Sequence, residues 1–449
     1  MGQIEFVLMQ NLYRICIILA SLWVLTIHAR SVAVISYITD NAVTDTVATV
    51  VMVADTIIND SVDTDSIADM DATEAGNNLS VQERIASLLG TEMFQKSMAA
   101  VMAYDLTADT LIFAHNERQL LRPASTMKLT TAITALDHLG GAYRYTTTMR
   151  YDGHCYETHS KRNNYIGDIT IIGGMDPRFG TDDMNAFIES LQKERIDTIF
   201  GNVRADMSFK DSDRLGSGWC WDDDNPVLTA LPWNRNDQFM SKFSQRIREA
   251  GITVLPKSAL NDSILSIAQD TLRVSSHGCK TTVSRHHTIG QILSRMMKES
   301  DNLYAESLFY QIAASEHKPA TAKTATYVIN QLIKKIGLNP TDYRIADGSG
   351  LSLYNYQTAE LQIQLLRYAF RNPDIYTNLY PSLPIAGVDG TLQKRMHSGR
   401  AYRNVHAKTG TVTGVSSLSG YLTAANGNTI AFAIINQGIR ATSPAKNFQ

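Results

Sequence analysis

Ser125 and Lys128 stand three positions apart, Ser300 and Asn302 flank Asp301, and Lys408-Thr409-Gly410-Thr411 lies close to the end of this 449-residue chain. In that order the residues supply a hydroxyl nucleophile and an amine that can take its proton. They also supply a second hydroxyl for proton relay and a cationic strand suited to an anionic acyl substrate. One string alone says little. Three in this order point to a serine acyltransferase or hydrolase working through an acyl-enzyme.

Each string needs a particular support. Ser125 is expected at the start of a helix, where free N–H groups and the dipole favour developing negative charge. Lys128 then lies on the same helical face. To act as a base it must be neutral part of the time, which burial and a second cation nearby would favour. Ser300-Asp301-Asn302 is expected in a turn between two helices, although such residues are also good helix caps. There Ser300 can pass a proton to a leaving amine and Asn302 can hold a peptide group. Lys408 and Thr409 on a strand can bind a carboxylate, with Lys408 as the second cation. Gly410 permits a close approach of another backbone. An edge strand there would also lend one backbone donor to an oxyanion hole.

The elements that must place these groups are legible nearby. Ala99–Tyr104 and Thr110–His115 are predicted to form a hairpin. After Pro123 a helix carries Met127, Ala132, Leu136 and Leu139, and Gly140-Gly141 stops it. Ile289, Leu293, Met296 and Met297 share the face of a second helix ending before Ser300, and residues 303–312 start a third. Residues 416–423 and 429–436 read as strands, with Asn426-Gly427 as a hairpin turn. Residues 145–284 mix short strands and turns.

The chain is long for one core, so two or three domains are expected. Its 44% hydrophobic and 19% charged composition is that of a soluble globular protein, and a net charge of −3 gives no pull toward nucleic acid. Residues 31–80 carry eight Asp and one Glu without Lys or Arg, and read as an acidic linker or pro-segment. The remainder, from residue 81 onward, is mildly basic. Arg14 precedes a largely apolar run, Ile15 to Ile27, too short to span a bilayer, with Ala29 as a cleavage point. Met9 is an alternative start. A signal peptide over 1–29 implies export to the periplasm, and membrane association only if that segment stays uncleaved. Cleavage leaves Cys155, Cys220 and Cys279, enough for at most one disulfide. His286 and His287 beside Arg285 lack a third ligand at metal spacing and read as surface residues. No metal or cofactor is called for.

Taken together, the three strings resemble those of penicillin-binding proteins. They are most similar to the penicillin-binding protein 4-like D-alanyl-D-alanine carboxypeptidase/endopeptidase family (class C, low molecular mass). The likeness covers most of residues 90–440. It rests on Arg122–Leu129, Gly173–Pro177, Asp206 with Phe209, Gly218–Asp223, Ser300–Glu306, Asp347–Ser352, Ala386–Leu392 and Lys408–Thr411. It implies an α+β fold: a transpeptidase/β-lactamase-like domain, an antiparallel sheet flanked by helices, built from 81–144 and 285–449. β-rich domains would be inserted at 145–284, as the 175 positions between Ser125 and Ser300 suggest. Trp219 and Trp221 would pack in that insert.

The resemblance also implies roles. Ser125 attacks the carbonyl between two D-alanines of a peptidoglycan stem peptide, Lys128 is the base, Ser300 relays the proton and Asn302 orients the substrate. Lys408 and Thr409, helped by Thr411, hold the terminal carboxylate. The backbone N–H groups of Ser125 and Thr411 form the oxyanion hole. β-Lactams would acylate the same serine. The same scaffold serves β-lactamases, esterases and non-catalytic penicillin sensors. Leu353 stands where relatives often carry an Arg, which bears on side-chain preference.

Overall fold

The near-continuous apolar and threonine content of residues 127–136 leaves no face of that helix for solvent, and such a helix is stable only inside a core. It runs through the middle of the protein, buried from Met127 to Leu136. The computed structural model describes residues 79–157, 162–260, 282–440, 446 and 449. The predicted leader, Cys279 and all but the last two residues of the acidic stretch lie outside them. Among the described residues no helix is long and apolar enough to cross a membrane.

The helices that matter here are α1 (Val81–Leu89), α2 (Met127–Leu139), α3 (Thr181–Lys193), α4 (Phe239–Glu249), α5 (Ile289–Lys298), α6 (Asn302–Glu316), α7 (Ala322–Lys335), α8 (Ala359–Arg371) and α9 (Pro373–Leu379). The strands are β1 (Met98–Asp105), β2 (Thr110–His115), β3 (Arg144–Glu157), β4 (Asn163–Ile172), β5 (Ile196–Phe200), β6 (Val203–Asp206), β7 (Thr253–Leu255), β8 (Thr282–Thr288), β9 (His406–Val412), β10 (Val415–Thr423) and β11 (Thr429–Gln437).

The first sheet has the order β2-β1-β11-β10-β9 and is antiparallel throughout, which leaves β9 at an edge. Strand alternation gives β11 two apolar faces. Ala431, Ala433 and Ile435 join the main core with α2 and α6, while Phe432 packs on the other side with Leu392, Ala407 and Leu418. The predicted hairpins and the two helices around Ser300 are present at their expected places, within a residue or a few at the ends.

The stretch expected to be inserted forms a second sheet of order β7-β5-β4-β3-β8, with β6 beside β4. It is mixed: β3 runs antiparallel to β4 and β8, whereas β4, β5, β6 and β7 pair in parallel. It is less purely β than the sequence suggested. Phe187 on α3 and Phe239 and Phe243 on α4 pack against Met149, Tyr165, Ile169 and Ile171 of the sheet. Parallel pairing needs such crossover helices. Cys155 is disulfide-bonded and the Cys220 thiol is free.

Candidate active site

Pro123 closes a strand-like approach, and Ala124–Thr126 form a single 3-10 turn that runs directly into α2. Ala124 has φ +48°, a left-handed conformation that a non-glycine residue adopts at some cost. Gly350 explains why it is held there. A methyl group at Gly350 would come within 1.9 Å of the Ala124 carbonyl oxygen, so only glycine lets the Asp347–Ser352 loop lie on this turn. Ser125 is left partly accessible, while Lys128 one turn along is fully buried.

Lys128 Nζ lies 2.9 Å from Ser125 Oγ, 2.8 Å from Asn302 Oδ1 and 2.8 Å from the Ser349 carbonyl oxygen. Three partners suit an ammonium. They suit a neutral amine equally: two N–H groups go to Asn302 and Ser349, and the lone pair accepts the Ser125 hydroxyl proton. Burial pushes Lys128 down to about 8, against the pull of the Asp347, Glu306 and Asp301 carboxylates. A serine facing a partly neutral lysine is an activated nucleophile.

Ser300 occupies the three-residue gap between α5 and α6, again left-handed at φ +59°. Its Oγ accepts from Lys408 Nζ at 2.8 Å, and Lys408 also donates to the Thr409 carbonyl at 2.7 Å. Lys408 is fully buried. Burial first, and then the charge of Lys128, lower its proton affinity well below that of a free lysine.

Edge strand β9 brings the Lys-Thr-Gly string against the nucleophile. A methyl group on Gly410 would stand 2.8 Å from the Pro123 carbonyl oxygen and 3.0 Å from Ser125 N. Thr411, the next residue, is exposed on the same edge. Ser125, Lys128 and Asn302 form one hydrogen-bonded group and Ser300 with Lys408 a second, with Thr409 and Thr411 on the strand beside them.

Several neighbours of these groups received no role in the sequence reading. Thr391 Oγ1 accepts from Thr409 Oγ1 at 2.8 Å, and its turn is tied to α5 through Asp389, which pairs with Lys298 at 2.6 Å. Asp347 accepts from Gly350 N, Ser352 N, Asn355 Nδ2 and Trp219 Nε1 at 2.6–2.9 Å, and so fixes the loop that supplies the Ser349 carbonyl. Thr391 and Asp347 fall in the Ala386–Leu392 and Asp347–Ser352 strings that carry the resemblance, but nothing local ties Thr391 to Thr409, 18 positions on.

Two sequence expectations are corrected. Trp219 packs against the core, but Trp221 is 94% exposed and packs on nothing. His287 is not a surface residue. On β8 the odd positions face inward, so its Nδ1 meets the buried Asp176 at 2.6 Å while His286 stays exposed. Leu353 is 40% exposed, and its N–H donates to Gly218 O at 3.0 Å.

A Ser-x-x-Lys helix start facing a Lys-Thr-Gly edge strand, on an antiparallel sheet flanked by helices, defines a serine acyl-transfer enzyme of the penicillin-binding type. The D-Ala-D-Ala carboxypeptidase 3 (S13) family model matches residues 81–234 and 232–449, and the chain belongs to that family of serine-type D-Ala-D-Ala carboxypeptidases. It is 25% identical to a D-alanyl-D-alanine carboxypeptidase of an Actinomadura species, over 81% of this chain and 82% of the relative. It is also 25% identical to the D-alanyl-D-alanine carboxypeptidase DacB of Haemophilus influenzae, over 75% and 84%. The crystal structure of penicillin binding protein 4 (dacB) from Haemophilus influenzae superposes with a TM-score of 0.69 at 22% identity, covering 81% of this chain and 97% of that one. That likeness establishes the shared fold.

Proposed function

We propose that the protein is an exported, penicillin-sensitive serine DD-peptidase that hydrolyses the D-alanyl-D-alanine bond of peptidoglycan stem peptides. The observation that carries this reading is the Ser125–Lys128 contact at 2.9 Å, set within reach of the Ser300–Lys408 pair.

The anionic chain end binds at Lys408 and Thr409. Its negative charge favours the protonated form of Lys408, so Lys128 is the lysine that gives up its proton. Lys128 takes the Ser125 proton as Oγ attacks the carbonyl carbon. The oxyanion is held by the N–H groups of Ser125 and Thr411, and Asn302 orients the peptide group. Collapse breaks the C–N bond while Ser300 donates its proton to the leaving amine and regains one from the lysine pair. Water then hydrolyses the ester. Carboxypeptidase and endopeptidase turnover share this acyl step and differ only in the leaving amine. A β-lactam with its own carboxylate would acylate Ser125 in the same way. Support for this comes from the Haemophilus influenzae structure that has been determined complexed with a β-lactam.

The test is mass analysis of pentapeptide and cross-linked muropeptides after incubation with wild type and with Ser125→Ala. Loss of D-alanine or bridge cleavage should occur with wild type only. Unchanged turnover by the variant would rule out the mechanism.

A further inference from the structure

Asp301 is the middle residue of the Ser300–Asn302 turn and has no role in the chemistry above, yet it is only 7% exposed and fully engaged. Its Oδ1 accepts from Leu303 N at 3.1 Å and caps α6. Its Oδ2 meets two guanidinium groups. Arg295 comes from the preceding helix, with Nε at 2.9 Å. Arg235 comes from the segment between β6 and α4, far away in sequence, and its Nη1 contacts the same oxygen.

The way Arg235 is presented is unusual. Trp233 and Asn236 exchange backbone hydrogen bonds at 2.9 and 3.1 Å, and the two residues between them, Asn234 and Arg235, have φ +45° and +71°. This is a tight turn with two left-handed central residues, a geometry that suits Asn-Gly far better than Asn-Arg. Asn234 ties the turn to the start of α3 through its N–H to the Phe179 carbonyl at 3.2 Å and its Nδ2 to Thr181 Oγ1 at 3.2 Å. Arg235 thus reaches out from the second sheet's side of the fold and holds a carboxylate between two site residues. The residue it steadies on one side, Ser300, is itself left-handed, so something must hold that backbone in place. Arg235 also lines a cavity of about 460 Å³ shared with Asp224, Ser300 and Asn302, so its side chain stands at the site.

We infer that Arg235 is a positioning residue for proton delivery: by clamping Asp301 it keeps the Ser300 hydroxyl on Lys408. This rests on the serine DD-peptidase reading. It predicts a chemical signature, because Ser300 serves the leaving group. An amide nitrogen must be protonated as the C–N bond breaks, whereas a thiolate leaves without a proton.

The experiment compares single-turnover acylation of the full chain by an acyl-D-alanyl-D-alanine peptide and by the matching thioester. Arg235→Ala should slow the peptide reaction roughly 10- to 100-fold while slowing the thioester no more than about threefold. Arg235→Lys should recover part of the peptide rate. An equal loss with both substrates, or no loss with either, overturns the inference. Asp301→Asn, which keeps the side chain's shape, should show the same selective loss and serves if Arg235→Ala does not fold. Ser125→Ala run in parallel separates the two levels: if it still forms an acyl-enzyme, the underlying mechanism fails, whatever Arg235 does.

Discussion

Lys128 and Ser349 lie 221 positions apart, and the amine of one rests on the main-chain carbonyl of the other at 2.8 Å. The Ser349 N–H is in turn held by the buried Glu306 carboxylate at 2.8 Å, and the same carboxylate accepts from Gly348 N at 3.1 Å. Glu306 therefore fixes the residue whose carbonyl receives the Lys128 amine. Burial and the neighbouring Asp347 raise its proton affinity, while its backbone donors oppose that.

Glu306→Ala should destabilise the protein by about 2–5 kcal/mol, since it leaves two buried N–H groups without acceptors. Glu306→Gln keeps one acceptor oxygen and should cost about half as much. Urea midpoints for the two variants check the ordering. Equal midpoints would show that the carboxylate is not what holds the loop.

The pH dependence of acylation follows from Lys128. With its proton affinity lowered to about 8 by burial, the base form gains population as pH rises through that value. The second-order acylation constant, which reports the free enzyme, should therefore climb through an acid limb near pH 8 and level off above it. A profile flat from pH 6 to 10 would deny Lys128 the role of base.

The same burial opposes folding. Below pH 8 the folded chain must keep Lys128 protonated inside the core, or release a proton that the unfolded chain holds up to its usual 10.5. Between those values the unfolded state binds more protons, so stability rises with pH through that window. At neutral pH the penalty is about 3 kcal/mol. Lys128→Met removes it but leaves Asn302 Oδ1 and the Ser349 carbonyl without a donor. Acylation should be lost by roughly 10³-fold or more. The melting temperature should stay within a few degrees of wild type or rise. A large drop would mean that the lysine stabilises the fold.

Thr391 should tune recognition of the anionic chain end. Its oxygen fixes the rotamer of the Thr409 hydroxyl at 2.8 Å. Thr391→Val keeps the shape and removes the acceptor, at a cost of about 0.5–1.5 kcal/mol. KM for a peptide ending in a free carboxylate should rise roughly two- to tenfold, with little change for the matching C-terminal amide. An equal rise for both would place Thr391 outside the carboxylate pocket.

The parts of this protein that could be read from the chain are those set by short-range pattern. α2 and α5 follow from apolar spacing with clear stops, and the β10–β11 hairpin follows from Asn426-Gly427. α3 and α4 were equally legible in principle, since Phe239, Phe243 and Ile247 recur at helical spacing, but parallel pairing in the second sheet has no short-range marker. The strings proposed to carry the chemistry announced themselves because each is contiguous. Their supports did not. Arg235 meets Asp301 across 66 positions and Glu306 meets Ser349 across 43, and a charged residue's partner at such a distance leaves no trace in local sequence. Trp221 was misjudged for the opposite reason: tryptophan is usually buried, and only the loop's path leaves this one in water.

Gly410 offers the sharpest test of how β9 meets the nucleophile. A methyl group there would sit 2.2 Å from Ser417 Oγ, 2.8 Å from the Pro123 carbonyl oxygen and 3.0 Å from Ser125 N. Ser417 can turn away only by giving up its own bond to the Pro123 carbonyl at 2.6 Å, and the other two atoms are backbone. Gly410→Ala must therefore push the edge strand off the 3-10 turn and draw Thr411 N away from the proposed oxyanion hole. Acylation by a β-lactam should fall by roughly 10² or more, the loss typical of removing one oxyanion donor. Folding should be affected less, because β9 keeps its pairing with β10. Normal acylation by this variant would show that the Lys408–Thr411 strand does not approach Ser125 as closely as the Gly410 contacts require.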